Sequence, residues 1–256
     1  DEMDNVLPLI TKQQIIERFK QIKALGFIKS NRKNNTGIGK TFEDYIGVLE
    51  NNIDEPDLFG YEIKSHREET ASYITLFTKS PNFPRKANSY LRDKYGMPYE
   101  DNTDLKKLHT SMFASKYNSF GNVFSFRLIN DRNRKTVKIG IYDLNTKRLI
   151  DDTVGYRYDC LDKILNKKLK DLFYVSAERQ TENGDEYFFF NKAEIYSHPT
   201  LENFLTLIDD GLIMFDIRIG SYRSGKNYGK THDHGSGFRI LESNLRLLFS
   251  EQECID

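Results

Sequence analysis

The tightest constraint on this chain is a short run, Tyr61-Glu62-Ile63-Lys64, with an apolar residue between two charged ones. Side chains of a strand alternate between faces, so Glu62 and Lys64 point one way and Ile63 the other. Pro56 biases Glu55 away from helix and keeps the approach through Asp57 extended, with Phe59-Gly60 as the bend into the strand. Asp57, Glu62 and Lys64 can then converge at that bend. Upstream, Phe42, Tyr45, Ile46 and Leu49 make a helical stripe with Thr41 as its expected cap, and Glu43 lies at the stripe's edge.

Two hard carboxylate oxygens with open positions suit Mg2+, which keeps several waters and binds through one or two carboxylates plus a substrate phosphate. A lysine beside such an ion can orient or deprotonate water and offset charge on a phosphoryl oxygen. Together these groups describe metal-assisted phosphodiester hydrolysis. In a chain that is 30% charged, the same spacing also describes a surface salt-bridge cluster, and these residues alone leave both readings open. Gly39-Lys40-Thr41 does not complete a nucleotide-binding loop, because the required first glycine would fall at position 34, which is Asn34.

Net charge is +0 at pH 7, so any contact with phosphates must come from how the charges are distributed. Phe19 to Lys40 contains Lys20, Lys23, Lys29, Arg32, Lys33 and Lys40 and no acid, and Phe77 to Gly96 contains Lys79, Arg85, Lys86, Arg92 and Lys94 against Asp93. These runs are either an ordinary solvated surface or a backbone-contacting one, with Lys40, Lys79 and Arg85 as candidate DNA contacts. No apolar run reaches membrane-spanning length and no signal peptide is visible. Cys160 and Cys254 form no ligand motif, which fits unpaired thiols in a reducing cytoplasm. The first residue is Asp1 rather than methionine, as expected of a trimmed chain.

Thr11 and Gln14 form a capping box ahead of a helix carrying Ile15, Phe19 and Ile22. Glycines 37 and 39 either admit phosphate or only shape a turn. Strands are expected over Ser72 to Phe77 (continuing the Glu62 sheet), Val123 to Ile129, Val137 to Tyr142, Leu172 to Val175 and Tyr187 to Phe190. Leu161, Ile164, Leu165 and Leu169 mark one helix, and a second is capped by Thr200 and closed by Gly211.

Ile213 to Ile219 alternates cleanly, with Met214, Asp216 and Arg218 on one face. Arginine can read guanine O6 and N7, and a carboxylate can accept from cytosine N4. A glycine-rich excursion with Tyr222, Arg223, Lys226 and Lys230 leads to His232-Asp233-His234, and Arg239 follows on a returning strand. Zinc would need further ligands that no cysteine cluster supplies, and Lys64 already offers the catalytic-base role. Base reading fits these imidazoles best, their two rings sharing a face of an extended segment.

Three blocks, NNTGIGKTFED, PDLFGYEIK and TLFTKSPNFPRKAN, together with FDIRIGSYRSGKNYGKTHDHGSGFRI near the C-terminus, resemble the MvaI/BcnI family of Type II restriction endonucleases. That family is related to the mismatch-repair nickase MutH and to the PD-(D/E)xK nuclease fold. The middle, from about Gly96 to Asp151, matches less clearly. The resemblance implies an α/β fold, a mixed sheet flanked by helices, with two lobes forming a DNA cleft. We expect a catalytic lobe over 1–150 and a DNA-recognition lobe over 151–256, with interleaving allowed. It further implies Mg2+ held by Asp57, Glu62 and the Ile63 carbonyl, with Lys64 and Glu43 completing the catalytic set. The outer C:G pairs would be read by Asp216, Arg218, His232, Asp233, His234 and Arg239, with Arg223 and Lys230 nearby. The expected activity is hydrolysis of double-stranded DNA at a CC-N-GG site, with CC(A/T)GG favoured by the MvaI-like C-terminal block, leaving 5'-phosphate and 3'-hydroxyl ends. The expected protein is a monomer of the bacterial cytoplasm whose cognate DNA methyltransferase belongs to the same system without being bound. The alternatives are a MutH-like strand-nicking enzyme and a DNA-binding module without turnover.

Overall fold

A computed structural model describes residues 11–33, 37–50, 60–66 and 71–256. In chain order its elements are α1 (Lys12–Ala24), β1 (Phe27–Lys29), α2 (Gly37–Glu50), β2 (Tyr61–Ser65), β3 (Tyr73–Thr78), α3 (Ala87–Tyr95), β4 (Met97–Pro98), β5 (Lys106–Met112), β6 (Phe124–Asp131), β7 (Thr136–Asp143) and β8 (Leu149–Arg157). They continue with α4 (Tyr158–Lys168), β9 (Asp171–Glu182), β10 (Asp185–Pro199), α5 (Leu201–Asp209), β11 (Ile213–Ser221), β12 (Thr231–Asp233), β13 (Gly237–Leu241) and β14 (Phe249–Ile255). This is the mixed α/β architecture expected from the sequence.

The chain forms two compact units, each built from separate stretches: 1–70, 170–198 and 249–256 in one, and 71–169 with 199–248 in the other. A division at residue 150 would fall inside β8. There Asp151 is buried and accepts hydrogen bonds from the hydroxyls of Tyr90 and Tyr95 on α3, so that boundary would cut a packed element from its partners.

In the first unit the strand order is β1-β10-β9-β2, with β14 also pairing β10. β2 runs parallel to β9, whereas β1 and β9 are antiparallel to β10. The expected capping box opens α1, with Thr11 Oγ1 accepting from the Gln14 amide and Gln14 Oε1 from the Thr11 amide. Ile15, Phe19 and Ile22 of α1 and Ile38, Phe42 and Ile46 of α2 are buried against Ile63, Phe173, Val175 and Phe190 of the sheet. Phe42 is the centre of this core, its ring stacked on Phe173 at 5.9 Å and tilted against Phe190 at 5.2 Å. Burying one such ring stabilises the fold by about 1.5–3 kcal/mol relative to leaving it exposed.

Thr41 does not cap α2. The helix begins four residues earlier, and Thr41 is buried within it, its Oγ1 accepting the Asn31 amide at 2.9 Å. Gly37, at the first turn of α2, has no room for a side chain, since a Cβ there would lie 2.4 Å from Ser30 Oγ and 2.9 Å from the Arg32 carbonyl. Its use is close packing of the helix start against this loop.

The second unit holds a six-stranded sheet in the order β3-β13-β11-β5-β4, with β12 also on β11, and a three-stranded sheet, β6-β7-β8. β3 therefore does not continue the Glu62 sheet; it pairs antiparallel with β13. Its alternation specified a strand and was silent on the partner. β6 and β7 pair as expected, while β5 and β8 went unrecognised in the sequence. Tyr156, Phe215, Phe204, Phe238 and Phe77 form the aromatic centre, with Phe215 and Phe238 5.0 Å apart. Thr200 caps α5 by accepting the Asn203 amide at 3.1 Å, and Gly211 closes it with φ 75°. Cys160 and Cys254 are free thiols. Among the described residues no helix is long and apolar enough to cross a membrane.

Candidate active site and nucleic-acid interface

β2 alternates as its sequence dictates. Tyr61, Ile63 and Ser65 are buried, while Glu62 and Lys64 are half-buried on the opposite face. Lys64 Nζ lies 3.2 Å from Glu62 Oε1, with side chains 21% and 39% exposed. Parallel pairing with β9 sets Glu62 beside Leu172 and Lys64 beside Tyr174. His66 follows on the chain, its ring edge-on to Tyr174 at 4.1 Å. The sequence reading passed over His66, although its spacing two beyond Lys64 was visible. Glu43 lies half-buried on α2, and Asp57 lies outside the described residues.

The donors at this face suit a hard divalent cation in kind: the Glu62 carboxylate and main-chain oxygen, with an ammonium adjacent. Among the described residues no three acidic, histidine or cysteine side chains gather into a metal cluster.

The second unit gathers the C-terminal candidates on β11, on its neighbours β12 and β13 and on the excursion between them. Ile213, Phe215, Ile217 and Ile219 are buried, and Arg218 is exposed. Asp216 is not displayed as an open acceptor, because it is only 7% exposed. Its Oδ2 accepts Arg218 Nε at 2.8 Å and lies 3.1 Å from Arg239 Nε, while Oδ1 accepts the Ser111 hydroxyl at 3.0 Å. One buried carboxylate thus braces two guanidiniums. The Arg218 side chain is 47% exposed, whereas Arg239 is 14% exposed and donates through Nη2 to the Gly235 carbonyl.

The imidazoles assemble beside this brace. Tyr222 and His232 stack at 4.2 Å and 7°, and His232 lies 4.0 Å from His234. A third ring, His109 from β5, sits 6.0 Å from His234. Antiparallel pairing brings it there by setting His109 opposite Arg218 and Ser111 opposite Asp216. Partial burial lowers the His109 pKa from the usual imidazole range; Lys107, His234 and Arg218 add to the lowering, and Asp216 opposes it. Gly220 admits this packing, since a Cβ there would lie 2.6 Å from the Tyr99 hydroxyl and 3.0 Å from His234 Nε2. Sequence reading missed β5 altogether; only the pairing register exposes its part in the face.

The excursion from β11 to β12 is tied to α3. Arg92, with its side chain 11% exposed, donates to Ser221 Oγ at 3.1 Å and to the Gly229 carbonyl at 3.0 Å. Ser89 and Thr231 share a hydroxyl hydrogen bond, and Asn88 donates to Asp233 Oδ2 at 3.4 Å. Asp233 Oδ1 accepts the amides of Gly235 and Ser236, so this carboxylate shapes the turn beyond β12. Arg223 pairs with Asp101 and lies over the Tyr99 ring at 4.6 Å. Lys230 is exposed at the end of the excursion, its main chain bonding Tyr222 and Asn227. Lys40 pairs with Asp44 on α2 at 2.7 Å. Lys79 and Arg85 lie on exposed chain between β3 and α3, where the Lys79 carbonyl accepts the Tyr156 hydroxyl.

A strand that pairs carboxylate with lysine in one unit, and a braced arginine–imidazole face in the other, are parts that a site-specific deoxyribonuclease requires. A model of the MvaI/BcnI restriction endonuclease family matches residues 16–249, and the chain belongs to that family. It is a Type II restriction endonuclease resembling MvaI. The solved structure of restriction endonuclease MvaI in the absence of DNA is 35% identical with a TM-score of 0.81, covering 98% of this chain and 100% of that one. The MvaI complex with its cognate DNA substrate is 36% identical with a TM-score of 0.61, covering 96% and 100%. Comparison with curated proteins gave no match. Enzymes of this kind generally use a divalent metal.

Proposed function

We propose that the enzyme hydrolyses both strands of duplex DNA at a CC-N-GG site, CC(A/T)GG in particular, with Mg2+ as its metal. The observation carrying this reading is the side-by-side placement of Glu62 and Lys64 on one face of β2. Asp57, Glu62 and the Ile63 carbonyl would hold the ion, in the manner of the PD-(D/E)xK nucleases. When bound, it supplies charge neutralisation at the scissile phosphate and a more acidic water.

Lys64 orients the attacking water and offsets charge that grows on the phosphoryl oxygens. Glu43 supports this lysine from α2. In-line attack leaves a 5'-phosphate and a 3'-hydroxyl. Arg218, Arg239, His232 and His234 read the outer C:G pairs, with Asp216 setting the direction of both guanidiniums and Asp233 setting the turn. Arg223, Lys230, Lys40, Lys79 and Arg85 contact the backbone. Catalysis then belongs to the unit containing β2 and recognition to the unit containing β11. The protein works as a monomer in the cytoplasm and cuts the strands in turn, and the cognate methyltransferase acts separately.

Digestion of a sequenced supercoiled plasmid with Mg2+, followed by mapping of the ends, tests this. The expected course is open circle, then linear product with ends at CC(A/T)GG. Open circle that persists at enzyme excess would overturn the two-strand reading in favour of a nicking enzyme. An Asp57→Ala variant that cuts as the parent does would remove the metal assignment.

A further inference from the structure

The base-reading face proposed above comes from the C-terminal block, yet the folded surface extends onto β5, which that block does not contain. Three of the chain's five histidines, His109, His232 and His234, meet on it. His109 is exposed, lies opposite Arg218 in the β5–β11 register, and has Ser111 two residues on along the same face, bonded to Asp216. Side chains at i and i+2 share a face of a strand, so β5 adds a second row beside the Asp216–Arg218 row. Neighbouring strands are about 4.8 Å apart. Stacked base pairs are about 3.4 Å apart. A ring one strand over from Arg218 therefore reaches the same base pair or its neighbour.

We propose that His109 is a specificity-determining residue of this endonuclease, contacting a base edge at or beside the pair read by Arg218. The inference rests on the reading of the β11 face as the base-reading surface. The ring is well suited to the task. Its pKa is held below the usual imidazole range, so at neutral pH it offers one N–H donor and one bare nitrogen acceptor. A neutral ring adds nothing to phosphate neutralisation, so its contribution appears in sequence preference rather than in the salt dependence of binding. Its ring lies edge-on to His234 at 6.0 Å, which places it within the same cluster of imidazoles.

The test compares His109→Ala, His109→Gln and Arg218→Ala by kcat/KM on duplexes carrying the cognate site and every single-base-pair substitution of it. Thermal midpoints check that each variant folds. For His109→Ala, discrimination should fall about tenfold at one position, shared with or adjacent to the position relaxed by Arg218→Ala. The salt slope of binding should not change, and His109→Gln should recover part of the preference. Equal losses at cognate and substituted sites would show a structural role and overturn the proposal. Unchanged discrimination in His109→Ala beside a relaxed Arg218→Ala would also overturn it while sparing the reading of β11. If Arg218→Ala discriminates as the parent does, the base-reading assignment of the face itself fails, and the His109 proposal falls with it.

Discussion

The β2 face and the β11 face reach their chemistry in different ways. On β2 the two charged residues are two apart in one strand and pair with each other, so alternation alone brings them together. On β11 a buried carboxylate is braced by Arg218 from its own strand, Arg239 from β13 and Ser111 from β5, and the neighbouring excursion is tied to α3. The β2 face is written locally, whereas the β11 face is assembled from distant segments and tied by them. Hydrolysis needs a few charges near one phosphate. Discrimination between base pairs depends on small energy differences, so donors must be held in fixed directions.

Losing Lys64 should produce the largest effect. Lys64→Ala is expected to slow single-turnover cleavage by about 10²–10⁴-fold. Gel-shift affinity for the cognate duplex should stay within a few-fold; loss of binding in step with cleavage would mean that β2 is not purely catalytic. Phe42→Ala removes the ring that holds α2 against β9, at a cost of about 3–5 kcal/mol in a denaturant titration. A cost well below this would mean that the unit containing β2 tolerates looser packing than its core suggests.

Asp216→Asn comes next, since it leaves two guanidiniums without their shared anion. The ratio of specific to non-specific binding should fall by about 1–3 kcal/mol. An unchanged ratio would show that the brace is dispensable.

Asp151 sharpens the contrast through pH. Burial favours the neutral acid, but bonds from the Thr153 and Tyr90 hydroxyls, the Tyr95 hydroxyl and the Thr153 amide outweigh it and bring the pKa down to about 2. An unfolded aspartate titrates near about 3.9. The folded value is depressed, so this stabilisation is present in full above about pH 4 and is lost as pH falls towards about 2. Thermal midpoints should decline over that window, and Asp151→Asn should start lower at neutral pH and decline less. The smallest effect is expected at Asp101, whose pair with Arg223 is solvent-exposed. Asp101→Asn should leave the midpoint unchanged within error, because water and salt screen such pairs.

Much of the fold could be read locally. The capping box at Thr11, the cap at Thr200, the Gly211 closure and the alternation of β2 and β11 all depend on residues within a turn or a strand of one another. The misreadings share a cause. Thr41 resembles a cap because its hydroxyl suits one, yet that hydroxyl serves Asn31, ten residues back. β3 alternates correctly but pairs with β13, and β5, which carries His109, has a weak apolar pattern.

The sequence by itself determined that Glu62 and Lys64 share a face, that β11 presents Arg218 outward, and that the chain resembles its endonuclease family. Only the tertiary structure decided that Asp216 is a buried brace, that Asp233 shapes a turn, and that His109 joins His232 and His234. The physical reason is range. Side-chain direction along a strand follows from covalent geometry over two residues, whereas strand partners and register are chosen by which distant apolar faces bury each other.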